Sequence, residues 1–394
     1  MVKRIGPEAA YVTGACQSAI YDFETGKVYS LNRDGTRILS DFLTGRELTD
    51  QQSEFISQIR SATGLELAGC SDYIFPEIEP RLDFAWLELT QKCNFRCVHC
   101  YQGTCHEEES TPLSVNEWKD VIRQCAAAGC RHIQFIGGEP SICAFLPELI
   151  EFAHSAGISR TVLFSNLFFM NDALLSAIVD YDVFTNFSIY GACAAVHDHI
   201  TQVPGSFERL ISRVTQLRDL HVSLRANVVL MRENEGEYEA IREFLRSLRI
   251  DSVHYDEIRK IYGGAQSPHM LSNPVLKLRK PNFRTDRASF EKSRSANTCW
   301  HGKFSISTDG SVYPCEFERN ILYGNIRQTS IAGLLKSDMI KKYWYFSFDE
   351  ITPCRNCEYR FACKDCRPMA YGEHGCLTDQ NPRCCYDPAA GKWA

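Results

Sequence analysis

From residue 84 onward, short apolar runs alternate with stretches of helical period. Phe84-Ala85-Trp86-Leu87-Glu88-Leu89-Thr90 reads as a buried strand, and His132-Ile133-Gln134-Phe135-Ile136 as a second. Runs at 161–164, 187–190, 222–229 and 252–255 continue the series. Between the first two, Ser114 and Glu117 form a capping box, and Trp118, Val121, Ile122 and Cys125 make one helical stripe. Alternating strands and helices predict a parallel sheet of strand–helix units, hence an α/β core. Several of these strands end in polar or glycine residues: Gly137-Gly138-Glu139-Pro140 after the second, Ser165-Asn166 after the third, Ser188 in the fourth. Ligands bind at the carboxyl ends of such strands.

The first 80 residues have a different texture. Ser18-Ala19-Ile20-Tyr21-Asp22 and Lys27-Val28-Tyr29-Ser30-Leu31 are two strand-forming runs around a Gly26 turn, which predicts a hairpin. Ile38, Leu39, Phe42 and Leu43 then fall at helical spacing. Thr49 and Gln52 form another capping box ahead of Phe55, Ile56 and Ile59. A hairpin with two or three helices makes a winged-helix-like unit. The predicted organisation is a small domain over 1–80, a strand–helix domain over 81–262, a connector over 263–298 and a cysteine-rich region over 299–394.

Composition narrows the class. The 394 residues are 44% hydrophobic and 23% charged, as in an ordinary globular protein. No run approaches the ~18 uncharged apolar residues of a membrane helix. The start, Met1-Val2-Lys3-Arg4-Ile5-Gly6, is not a secretory signal. A net charge of −6 with no basic stripe argues against nucleic-acid binding. Neither a membrane nor a nucleic acid is expected as partner, and the cytoplasm is the expected compartment. Cysteine is the outlier, at 19 residues in tight clusters. A long chain without a signal favours metal or cluster ligation over a disulfide scaffold.

The densest chemistry is Cys93-Asn94-Phe95-Arg96-Cys97-Val98-His99-Cys100, on the loop leaving the first strand of the 84–260 region. Three thiolates at this asymmetric spacing can hold three corners of an iron–sulfur cube and leave one iron open. Structural zinc sites use four closed ligands, often as two pairs. The motif resembles the signature of the radical SAM superfamily, and Phe95 and His99-Cys100-Tyr101 fit its pattern. The resemblance implies a partial (β/α)6 barrel and S-adenosylmethionine (SAM) bound at the open iron. It implies that Gly137, Gly138, Glu139 and Pro140 hold the SAM amino group, that Ser165 and Asn166 lie near the ribose, and that Ser188 lies near the methionyl carboxylate. Arg225 would lie near that carboxylate or the substrate. The family's third strand usually ends in Thr-Asn-Gly; here Leu167 replaces the glycine, which bears on the geometry of that loop. His197-Asp198 and Ser206-Phe207 also match the family, and read as fold elements, with Ser206 capping the next helix.

In the carboxyl third, Cys299 and Cys315 bracket a hairpin that turns at Asp309-Gly310, and Cys354-x2-Cys357-x5-Cys363-x2-Cys366 precedes Cys376, Cys384 and Cys385. These spacings alone suit zinc as well as iron–sulfur clusters. The pattern resembles the SPASM extension of radical SAM enzymes, with two auxiliary 4Fe–4S clusters. That resemblance implies Cys299, Cys315 and Cys366 for one. It implies Cys354, Cys357, Cys363 and either Cys384 or Cys385 for the other, with Cys376 a further ligand or a free thiol. Two residues, rather than three, separate Cys363 from Cys366, as in the peptide-maturase branch. Glu316 stands where a sulfatase-maturing relative has a proton-removing acid, so it is the candidate catalytic base. Cys16 and Cys70 read as buried thiols; Cys105, Cys125, Cys130, Cys143 and Cys193 read as packing thiols.

The N-terminal stretch resembles peptide-recognition domains, which add a leader peptide as a strand to a sheet edge. The resemblance therefore implies a peptide maturase that forms a 5′-deoxyadenosyl radical and makes a thioether or carbon–carbon crosslink in a precursor peptide. Its leader would bind the N-terminal domain, and its electrons would come from a donor such as flavodoxin or ferredoxin. Within the same chemistry stand a peptide epimerase and a sulfatase-type maturase. Outside it stands a zinc-bound, non-catalytic interaction protein.

Overall fold

The computed structural model describes residues 1–67, 69–103, 111–259, 267–272 and 283–393. Cys105 and much of the 263–298 connector lie outside them. The described residues fall into two compact units: 1–79, 283–301 and 342–393 in one, 80–272 and 302–341 in the other. Residues 1–79 therefore share a unit with most of the cysteine-rich region. Residues 302–341 belong to the strand–helix unit.

The first unit is built on an antiparallel sheet of five strands in the order β4-β3-β2-β1-β5. They are β1 (Val2–Gly6), β2 (Ala9–Thr13), β3 (Ser18–Asp22), β4 (Val28–Leu31) and the two-residue β5 (Ser71–Asp72). The predicted hairpin is β3–β4; β1 and β2 were not anticipated and turn it into a meander. Two helices follow, α1 (Arg33–Leu43) and α2 (Asp50–Thr63). Asn32 caps α1, and the Thr49–Gln52 capping box starts α2, as expected. Period-two alternation sends Ala9, Tyr11 and Ile20 to one face, against Leu39, Ile56 and Ile59 of the helices. It sends Ala10, Val12, Ala19 and Tyr21 to the other face, against Phe290 and Phe361. Both faces are thus apolar and covered.

The second unit holds a nine-stranded sheet, β11-β10-β9-β8-β7-β6-β12-β13-β14. Its strands β6 (Phe84–Glu88), β7 (His132–Ile136), β8 (Arg160–Ser165), β9 (Phe184–Ser188), β10 (Leu224–Leu230) and β11 (Val253–Glu257) pair in parallel, in chain order. This is the partial (β/α)6 barrel. The hairpin of the cysteine-rich region extends it: β12 (Lys303–Ile306) pairs in parallel with β6, and β13 (Ser311–Tyr313) and β14 (Gly324–Asn325) follow antiparallel. Parallel order puts the ends of β6 to β11 on one rim. No described helix is long and apolar enough to cross a membrane.

Candidate active site and thiol centres

The Cys93–Cys100 loop leaves β6 at that rim and is pinned there. The Arg96 amide donates to Thr201 O (3.1 Å) and the Val98 amide to Ile200 O (3.0 Å). Phe95 is buried and meets Phe168 edge-on at 5.5 Å. Cys97 and Val98 pack on Tyr190, Ile200 and Met231. None of the three thiols is in a disulfide, and the Phe95 amide donates to Cys93 Sγ at 3.4 Å. Burial pushes the Cys93 thiol up to about 12, with the charges of Glu139 and Cys100 adding to it. Cys97 is raised too, by burial and then by the charges of Cys100 and Cys93. Thiols raised this way become thiolates only against a positive centre, which is what a bound iron–sulfur cube offers.

The Gly-Gly-Glu-Pro turn follows β7. A Cβ on Gly137 would overlap Thr90 O, and one on Gly138 would overlap Lys92 O. The Gly138 amide donates to Thr90 O (2.7 Å) and the Glu139 amide to Lys92 O (2.9 Å). The close approach these glycines allow is therefore to the chain itself, the strand end that leads into Cys93. Glu139 is 2% exposed and its carboxylate accepts from Ser165 Oγ (2.6 Å), Asn166 N (2.7 Å) and Ser141 N (3.0 Å). Burial raises its pKa against those bonds. Pro140 opens the short turn Pro140–Ile142. Ser165 thus spends its hydroxyl on Glu139, while the Asn166 side chain donates to Asn94 Oδ1 (2.8 Å), between two of the thiols. Leu167, where the family has glycine, takes a left-handed backbone, with φ of 58° and its side chain fully buried.

Ser188 ends β9 beside Asn227, on the same rim. Arg225 is elsewhere. It is the second residue of β10, its Nε donates to Ser252 Oγ (2.9 Å), and its guanidinium lies 5.3 Å from the ring of Phe184, the first residue of β9. The strand starts at Leu224 and runs on to Leu230, so Arg225 sits at the amino rim, opposite the cysteine loop. His197 is 1% exposed and accepts from the Tyr190 amide through Nδ1 (3.2 Å); burial lowers it to about 4. Asp198, rather than Ser206, caps the helix Ser206–Asp219, accepting from Gly205 N, Ser206 Oγ and Phe207 N at 2.7–2.8 Å.

Glu316, after β13, lies among Glu88, Asp256, Arg259 and Arg319. Its carboxyl is pushed up to about 7, first by burial and then by Glu88, against the pull of Arg259 and Arg319. Glu88 ends β6 at 3% exposed, accepts from Ser305 Oγ (2.7 Å) and pairs with Arg319. A charge inside Phe-Ala-Trp-Leu-Glu-Leu was the available signal for this residue, and sequence reasoning passed it over.

In the first unit, Cys354, Cys357, Cys363 and Cys384 line one small cavity of about 30 Å³, together with Phe283, Tyr359, Tyr386 and Trp393. Charges on Cys354 and Cys384 act on both Cys357 and Cys363. Cys385 Sγ instead points at Arg383 O (3.9 Å), and Cys376 Sγ meets Thr378 Oγ1 at 2.9 Å. Among the described residues no three ligand-type side chains converge on a single-ion point; these four thiols stand around a space. Cys299 and Cys366 are in this unit and Cys315 in the other. Of the expected packing thiols, Cys125 and Cys130 are buried, Cys143 is half-buried and Cys193 is exposed. Cys16 and Cys70 are half-buried, Cys16 Sγ lying 3.5 Å from Pro388 O.

Comparison with known proteins meets this geometry. The radical SAM superfamily model matches residues 87–245, and the SPASM model, an iron–sulfur cluster-binding domain, matches 299–358. The AdoMet-dependent heme synthase of Methanosarcina barkeri is 24% identical over 343 residues, covering 78% of this chain and 97% of that one. The PqqA peptide cyclase of Rhodopseudomonas palustris is 25% identical over 328 residues, covering 77% and 86%. Among solved structures, SuiB of Streptococcus suis bound to precursor peptide SuiA superposes with a TM-score of 0.60 at 12% identity, covering 94% of this chain and 97% of that one. Native anSMEcpe with bound AdoMet and Cp18Cys peptide gives 0.59 at 16% identity, covering 77% and 93%. The chain carries a radical SAM domain and a SPASM domain, and is an enzyme that uses iron–sulfur clusters and S-adenosylmethionine.

Proposed function

We propose that this enzyme oxidatively crosslinks a ribosomally made precursor peptide, forming a thioether or carbon–carbon bond. The observation that carries the reading is the edge that strand β4 forms in the N-terminal sheet. Strand β4 is an edge with Ser30 exposed, next to α1, and an edge strand accepts an extended peptide as a further strand. The likeness to PqqA peptide cyclases, and a fold shared with SuiB and anSMEcpe, support a peptide substrate.

In this reading Cys93, Cys97 and Cys100 hold the cluster that binds SAM, and Glu139, fixed by Ser165 and Asn166, orients the SAM amino group. The bound pair supplies a 5′-deoxyadenosyl radical, and the auxiliary clusters supply an electron sink. Cys354, Cys357, Cys363 and Cys384 form the four-thiol auxiliary site. Cys299 and Cys366 contribute to the other. Glu316, with its proton affinity raised toward neutrality, takes the substrate proton released as the second electron leaves. A flavodoxin or ferredoxin delivers the reducing electron.

The test is mass spectrometry of a candidate precursor peptide after anaerobic incubation with reconstituted enzyme, SAM and reductant. Loss of a hydrogen pair located at a crosslink is the expected result. Unchanged mass with deuterium uptake would assign an epimerase, and conversion of a cysteine or serine to an aldehyde a sulfatase-type maturase. Deoxyadenosine without peptide change would remove the peptide substrate and favour a small molecule, as the heme synthase likeness allows. Zinc without iron or sulfide would overturn the enzymatic reading. Glu316→Gln is expected to cleave SAM and stall before product; full product formation would remove Glu316 from the reaction.

A further inference from the structure

The sheet of the second unit runs from β11 at one end to β14 at the other, and among the described residues no strand pairing joins those ends. Side chains cross the gap at the carboxyl rim instead. Arg259, two residues beyond β11, holds its guanidinium 4.4 Å from the centre of the Phe317 ring. Phe317, four residues beyond β13, meets the Tyr101 ring at 4.9 Å. Arg259 also pairs with Asp256 inside β11, and the two side chains are only 20% and 15% exposed. One stack thus links three segments: the end of β11, the loop after β13 and the Cys93–Cys100 loop. The loop after β13 is tied on its other side by Arg319, which pairs with Glu88 at the end of β6 and lies 4.7 Å from the Tyr313 ring. The Glu318 amide, donating to Cys315 O at 3.2 Å, sets the bend between them.

The sequence neighbours of the two rings give the stack its meaning. Tyr101 follows Cys100, and Phe317 follows Glu316. Chemistry at the first loop and a base on the second can act on one substrate carbon only if the two loops keep a fixed separation. A misplacement of about 1 Å costs on the order of a hundredfold in rate. The loop of Glu316 lies past the end of β13, so strand pairing does not set that separation. We propose that Arg259 and Phe317 are positioning residues that close the mouth of the barrel and hold the loop of Glu316 against the Cys93–Cys100 loop. The hold stands on the stack itself; its bearing on the reaction rests on reading Glu316 as the base and a peptide as the substrate.

The experiment compares the full reconstituted chain with Phe317→Leu, Phe317→Tyr and Arg259→Gln, with iron and sulfide assayed in each. Amide exchange followed by mass spectrometry reports on the loops. Deoxyadenosine released with dithionite and the candidate precursor peptide, divided by modified peptide, reports on abortive SAM cleavage. Phe317→Leu and Arg259→Gln are expected to speed exchange over 315–319 and 96–101 about fivefold, the order that one cation–ring contact carries. The ratio of deoxyadenosine to modified peptide is expected to rise by a similar factor. Phe317→Tyr keeps the ring and is expected to restore both. Unchanged exchange in Phe317→Leu and Arg259→Gln at full iron content would overturn the proposal. Faster exchange with an unchanged ratio would overturn it too, since that is what a merely structural contact gives. If the unmutated chain modifies no peptide, the peptide reading fails and exchange decides the hold by itself. Full product from Glu316→Gln would remove the base and leave the exchange result standing. If Arg259→Gln loads no iron, Phe317→Leu against Phe317→Tyr decides.

Discussion

Glycine 138 shows how much one missing methyl group controls. A Cβ there would occupy the place of Lys92 O, with Gln91 O only 2.6 Å away, and backbone on both sides cannot give. Gly138→Ala should push the turn off the strand end that feeds Cys93, so purified protein should lose the iron of the first cluster and its SAM cleavage. Normal iron content with normal deoxyadenosine yield would contradict this. Leu167 is the converse case. Its left-handed backbone costs roughly 1–2 kcal/mol, which Leu167→Gly would relieve. The same change strips a fully buried leucine, a loss of about 2–5 kcal/mol. The net expectation is destabilisation of up to about 4 kcal/mol in chemical denaturation. Stabilisation would mean that the leucine is not packed as described. His197 adds a pH dependence. Its folded value, about 4, lies below the ordinary 6.5, so the unfolded chain binds the extra proton between those limits. Its contribution is present above pH 6.5 and is lost as pH falls toward 4. This amounts to roughly 3 kcal/mol at 1.36 kcal/mol per unit. The difference between wild type and His197→Gln in urea midpoint should therefore narrow across that window.

At the scale of elements, the sequence was readable where one local interaction decides. Both capping boxes formed at the predicted residues because serine or threonine followed three positions later by glutamate or glutamine answers orphan amides within one turn. The strand 132–136 was placed to the residue. The fourth barrel strand starts at Phe184, ahead of its apolar run. Its first residues, Phe184-Thr185-Asn186, include polar side chains that only a parallel neighbour on each side makes strand-like. Arg225 lies at the opposite end of its strand from the place the resemblance implies, and which end a residue occupies depends on where pairing starts. The cap of the helix at 206 was credited to Ser206, while Asp198, eight residues earlier and on another helix, supplies the oxygen. That contact needs the two helices already packed.

At the scale of the molecule, the N-terminal sheet was expected to stand alone. Its second face is instead covered by Phe290 and Phe361, with Tyr21 OH donating to Glu358 O (2.7 Å) and Tyr359 OH to Ser30 Oγ (2.6 Å). Glu358 Oε2 lies where a Cβ on Gly14 would come within 2.5 Å. The residues between Cys357 and Cys363 are therefore part of the sheet's core. A fragment of residues 1–79 should expose that apolar face and show fast amide exchange or aggregation. A fragment with exchange protection equal to the whole chain would show that the face does not need its cover.

The chemistry is legible in the residues alone: three thiols on a strand-end loop, a Gly-Gly-Glu-Pro turn one strand later, and clustered thiols beyond 299. Those signals survive because ligand spacing, capping and alternation are local, set by a few neighbouring residues. Packing sets that Cys384 rather than Cys385 lines the cavity and that Glu139 is held by Ser165 and Asn166. Each of these is a contact between segments far apart in the chain. Which of two adjacent cysteines turns inward depends on the path of a loop, and that path is fixed by packing and buried hydrogen bonds rather than by residue type.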